Sequence, residues 1–192
     1  SDSMMPTDTN FPIPDGMINN PGNWRGSDFL GHNGWITHWS AQALDELLKA
    51  VAAVQAARKF APHFVKDDFP LPSLSDELQA IRDDLEVKNG FSVIRGIPND
   101  ELTEEEAEIL FWGLMVHIGH PMSQNAIGHL LGHVRDLGLD INDTNVRNYQ
   151  TTEELFFHND ACDVLMLMCR QVAKSGGLSR LASIPSLFNA MW

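Results

Sequence analysis

Near Pro121 the sequence changes its period, and that change limits the folds open to the chain. Before it, apolar residues recur every three or four positions, as on the buried face of a helix. Leu44, Leu47, Leu48, Val51 and Val54 form one such stripe over about 40–60, with Ser40 placed to cap its start. Leu74, Leu78, Ile81 and Leu85 form a second after Pro72, which should stop at Asn89-Gly90, where a left-handed cap forms easily. A third helix opens at Thr103-Glu104-Glu105-Glu106, since Thr103 and Glu106 have the spacing of a reciprocal capping box, and runs to about Ile118. The acidic run therefore reads as a solvated helix start rather than a metal site.

After Pro121 the apolar segments are short and β-prone, near 130–136, 145–150, 154–158, 163–170 and 178–183, with Gly, Asn, Asp and Ser between them. An earlier short strand is expected at Phe91-Ser92-Val93-Ile94, and a last helical turn from Pro185. Helices first and strands later indicate an α+β domain with a sandwich or jelly-roll sheet. Residues 1–34 lack periodicity and read as an irregular arm ahead of a domain over 35–192. The closing apolar segment, Leu187 to Trp192, is of a kind that normally packs against chain that follows it.

Charge excludes some partners. With 13 Lys and Arg against 26 Asp and Glu, the net charge of −13 repels phosphate backbones, so no nucleic acid is expected. No apolar run approaches the roughly 20 residues of a membrane span. The start, Ser1-Asp2-Ser3-Met4-Met5, has no signal-peptide character, so a cytoplasmic protein is expected. Cys162 and Cys169 match no zinc-site spacing and read as buried core thiols in a reducing compartment.

The run Glu154-Leu155-Phe156-Phe157-His158-Asn159-Asp160 carries the clearest chemistry. On an extended chain, His158 and Asp160 project to one face and can fill two corners of a metal site. A distant second histidine would complete a facial triad of the kind that holds non-haem iron(II). By spacing alone, a surface or capping His and Asp is the commoner explanation.

The wider context favours the metal. Arg147-Asn148-Tyr149-Gln150-Thr151-Thr152 leading into that run resembles the approach to the iron-binding His-x-Asp of the taurine dioxygenase family. Asp163 to Cys169 is similar to the strand after the ligands, and Ala173-Lys174-Ser175-Gly176-Gly177-Leu178-Ser179 to the family's Gly-Gly-x-Ser/Thr turn. Asn89 to Pro98 resembles the first core strand, and Ile118 to Asn125 the Gly-x-Pro turn and the segment after it. These motifs occur in family order between about Trp24 and Asn189.

The resemblance implies a double-stranded β-helix with helices packed outside it. It implies an iron(II)- and 2-oxoglutarate-dependent dioxygenase that uses molecular oxygen to oxidise a C–H bond of a small-molecule substrate, releasing succinate. By position it makes His158 and Asp160 iron ligands, Ser179 a 2-oxoglutarate contact, and Gln124, Asn125, Tyr149 and Asn159 candidate pocket residues. The family's second histidine ligand, and the arginine that pairs with 2-oxoglutarate, lie far downstream of His-x-Asp. No histidine follows Asp160 here, and neither Arg170 nor Arg180 sits at the arginine position. The jelly roll is therefore expected to be incomplete at its C-terminal side. His129 and His133, four apart, are the substitutes a rearranged site would draw on. The competing expectation is a non-catalytic relative that keeps the fold for binding or homo-oligomerisation, with strands exchanged between chains.

Overall fold

A computed structural model describes residues 13–122, 130–134 and 155–192. Its elements are β1 (Ile36–His38), α1 (Ala41–Ala56), α2 (Ser75–Glu86), β2 (Val93–Arg95), α3 (Glu104–Ile118) and α4 (Ile184–Met191). β1 and β2 pair in parallel, with Ile36 opposite Val93 and His38 opposite Arg95. Parallel neighbours require a crossover, and here α1 and α2 supply it.

Each helix forms for a local reason. The Ser40 side chain accepts the Ala43 N–H at 3.1 Å and caps α1. α1 then buries Ala43, Leu47, Ala50, Val51 and Val54, and α2 buries Leu78 and Ile81. α2 ends at Glu86, earlier than expected, but Gly90 takes the left-handed conformation (φ 80°) and its N–H reaches the Asp84 carbonyl at 2.8 Å. α3 is buried nearly all round, through Ala107, Ile109, Leu110, Trp112, Gly113 and Leu114, and packs against both α1 and α2. Among the described residues no helix is long and apolar enough to cross a membrane.

The expected capping box at α3 is present. The Glu106 N–H donates to Thr103 Oγ1 at 3.2 Å, while the Thr103 N–H and hydroxyl donate to Glu106 Oε2 at 2.8 and 2.9 Å. Those bonds, the backbone one foremost, hold the Glu106 carboxyl below its ordinary range. Thr103→Ala should lower stability by about 1 kcal/mol in urea unfolding. The Glu106 contribution is complete above the ordinary carboxylate range and disappears as pH falls through its lowered native value. The gap between wild type and Glu106→Ala should therefore close in acid; a gap that widens would contradict the box.

A second set of contacts ties the N-terminal arm to distant parts of the chain. Trp24 Nε1–H donates to the Asn89 carbonyl at 2.7 Å, and the Trp24 ring packs edge-on against Phe29 and Phe91. Ser183 caps α4 by accepting the Ser186 N–H at 3.0 Å, and its own hydroxyl donates to the Gly22 carbonyl. The Asn189 amide accepts the Ile18 N–H at 2.7 Å and donates to the Ile18 carbonyl at 2.8 Å.

The later part of the chain departs from expectation. Residues 155–158, 163–170 and 178–183 form no ladder with any described residue, so the described sheet has two strands and the jelly roll is not seen in it. Yet 165–169 alternates as a strand would. Met166 and Met168 pack toward the core, while Leu165 and Leu167 face outward. Extension is local, but a strand also needs a partner, and the pattern of one segment cannot supply it. The same one-sided cover corrects the reading of the thiols: both are free, Cys162 is half-buried, and Cys169 lies on the outward face, exposed.

Candidate metal centre

The candidate ligands follow a bend at Phe157, in a stretch that belongs to no helix or strand. One ring nitrogen of His158, Nδ1, sits 2.7 Å from the Phe156 carbonyl. A carbonyl can only accept, so Nδ1 carries a proton, and in the neutral ring Nε2 keeps its lone pair. Nε2 lies 3.9 Å from Asp160 Oδ1, and both side chains are about half exposed. The residue pair expected from the i, i+2 spacing is thus brought together, with Nε2 the nitrogen nearer the carboxylate.

These donors fit a first-row divalent ion. With bonds of about 2.1 Å, two neighbouring ligands at a right angle would sit about 3 Å apart, so closure needs a shift of about 1 Å. Solvent-exposed side chains make such a shift by small rotations. A nitrogen and a carboxylate oxygen are also the donor types of a facial iron site. No third ligand joins them among the described residues, where the only cluster of three or more donors lies elsewhere.

Ser179 follows two glycines in left-handed conformations, Gly176 (φ 73°) and Gly177 (φ 69°). The next residue, Arg180, places its guanidinium 5.8 Å over the Phe157 ring, a cation–π contact. Ser179 is therefore tethered, through its neighbour, to the residue preceding His158. Asn159 lies exposed between the two candidate ligands. Gln124, Asn125, Tyr149 and His129 fall outside the described residues.

Two supports of the pair were not anticipated. The Phe156 carbonyl orients the imidazole, and a backbone acceptor leaves no mark in side-chain identity. The Arg180–Phe157 contact had a weak signal, a cation beside the Gly-Gly turn, but cation–π pairs have no characteristic spacing. A further anchor holds the intervening segment. Arg170 donates to the carbonyls of Asn99 and Leu102 at 2.7 and 2.9 Å, and Asn99 Nδ2 donates to the Cys169 carbonyl at 2.8 Å.

Comparison with known proteins gives this arrangement its context. Residues 56–192 match the family model described as taurine catabolism dioxygenase TauD, TfdA family. The chain is 34% identical over 103 residues to FR-33289 synthase of Streptomyces rubellomurinus, covering 53% of this chain and 30% of that protein. It is 27% identical over 181 residues to the taurine hydroxylase-like protein SAT17 of Stachybotrys chartarum, covering 91% of this chain and 47% of that one. The chain thus spans less than half the length of these curated relatives.

Proposed function

We propose, from the premise that the chain belongs to the taurine catabolism dioxygenase TauD, TfdA family, that it carries part of the active site of an iron(II)- and 2-oxoglutarate-dependent dioxygenase acting on a small molecule. The observation that carries this reading is the His158–Asp160 pair, with Nδ1 donating to the Phe156 carbonyl and a carboxylate oxygen 3.9 Å from Nε2. When bound, iron with 2-oxoglutarate would supply oxidation of a substrate C–H bond by molecular oxygen, coupled to decarboxylation of the keto acid.

The protein's own groups then have defined tasks. His158 Nε2 and Asp160 hold the metal, and the Phe156 carbonyl keeps the imidazole proton on Nδ1, away from it. The Ser179 hydroxyl donates a hydrogen bond to a 2-oxoglutarate carboxylate. Asn159, with Gln124, Asn125 and Tyr149, contributes polar contacts that orient the substrate. Among the described residues no third ligand joins the pair; the resemblance implies a histidine for that place and an arginine for the distal carboxylate.

The test is anaerobic titration of the purified chain with Fe(II) and 2-oxoglutarate, following the visible charge-transfer absorption of the chelate. The band should appear in wild type and vanish in His158→Ala. A band that survives that substitution would place the metal elsewhere. A folded chain with no band would favour the second reading, a non-catalytic relative that binds or self-associates. That reading draws on the exposed apolar side chains of 155–192, among them Phe156, Val172, Leu178 and Met191.

A further inference from the structure

The first two turns of α3 carry a second set of donors that shares no residue with the pair above. Glu104 and Glu108 are one turn apart, so their side chains rise from the same face. His133 reaches them from a different part of the chain, in 130–134, where Leu130 packs against the core. Its Nε2–H donates to Glu108 Oε1 at 2.6 Å, and Glu104 Oε1 lies 3.8 Å from the same nitrogen. One donor atom from each of the three residues lies within 4.8 Å of the others. Glu106 is engaged in the capping box, and its carboxylate takes no part.

Three features separate this group from a solvated acidic helix start. It is a mixed set, one imidazole and two carboxylates, converging from two segments. The two carboxylates rise at i, i+4 spacing from one helix face, close enough for a single cation to bridge them. The donor separations of 2.6 and 3.8 Å also straddle the spacing of about 3.3 Å that tetrahedral ligands of one zinc ion adopt at bond lengths near 2.0–2.1 Å. An entering ion displaces the Nε2 proton to solvent and takes its place between the groups. Imidazole makes zinc and its first-row neighbours better guests than magnesium or calcium.

We propose that Glu104, Glu108 and His133 form a second metal site, for zinc or a similar first-row divalent cation, which pins residues 130–134 to the start of α3. The site is open to solvent, so the ion is exchangeable and completes its shell with water.

The experiment uses the full chain carrying His158→Ala and Asp160→Ala, which removes the competing pair. Calorimetric titration with Zn²⁺ should show one ion per chain. Adding His133→Ala or Glu108→Gln should weaken binding at least about tenfold, the lower end of what losing even an outer partner of a metal site costs. Glu105→Gln, which alters a neighbouring exposed carboxylate, should change nothing. In the wild-type chain, Zn²⁺ should also move the ¹⁵N resonance of His133 Nε2, a readout that needs no substitution. Absence of binding in the doubly substituted chain, equal weakening by Glu105→Gln, or an unmoved His133 resonance would each overturn the site and leave a simple His–Glu hydrogen bond.

Discussion

Phe69→Ala should destabilise the protein by about 3–5 kcal/mol, the range for emptying a well-packed aromatic site. Phe69 is fully buried between α1 and α3 and stacks on Phe64, with ring centroids 6.1 Å apart. Its backbone is engaged as well, since the carbonyl accepts from His117 Nε2–H at 2.6 Å. Nearby, Trp112 Nε1–H donates to the Phe64 carbonyl at 2.8 Å. The segment is held at both rings and both carbonyls, so the walls cannot collapse cheaply onto the missing ring. A typical domain has about 5–15 kcal/mol in total, so much of the margin would go. Denaturant unfolding would show a large fall in midpoint at nearly constant slope. A loss below about 1 kcal/mol would mean that the ring is not the keystone its burial indicates.

The second large effect is expected at Gly113, on the α3 face beneath that ring. A Cβ built there would lie 2.5 Å from two ring atoms of Phe69. Helix propensity favours alanine over glycine by about 1 kcal/mol, so an open position would gain from the change. Here overpacking at the upper end of its range, about 3 kcal/mol, should outweigh it, for a net loss of about 2 kcal/mol. The decisive comparison is the double variant. With Phe69→Ala in place the ring is gone, and Gly113→Ala should turn neutral or stabilising. An unchanged penalty in that background would show that glycine is needed for some reason other than the ring.

What the sequence revealed, and what it hid, follows from how local each determinant is. α3 was legible because Thr103 and Glu106 lie three residues apart and each satisfies the other. α2 was legible from its stripe, and Gly90 behind it adopts the conformation that only glycine enters freely. The end of α1 was not legible. Arg58 takes the left-handed position (φ 55°) there without glycine's signature, and the helix ends at Ala56 rather than near 60. β1 was missed because three residues carry no readable period, and its strand character comes from Val93–Arg95 far along the chain.

The same distinction runs through the candidate centre. His158 and Asp160 could be paired from their spacing, which is a local property. The carbonyl that sets the tautomer and the guanidinium over Phe157 depend on geometry that residue identity does not encode. The acidic start of α3 read as a solvated helix start, because the arrival of His133 from another segment beside Glu104 and Glu108 leaves no local signal.

The two hydrogen bonds between Asn189 and Ile18 bear on the order of folding. They join residues 171 positions apart, whereas the helices close over three or four. Closing so long a loop carries an entropic cost that nothing within it repays until the helical core has shortened the effective path. The α1–α3 nucleus should therefore form early, and the arm should meet α4 in the last event of folding. Unfolding would run in reverse, with the ends parting while the core still holds.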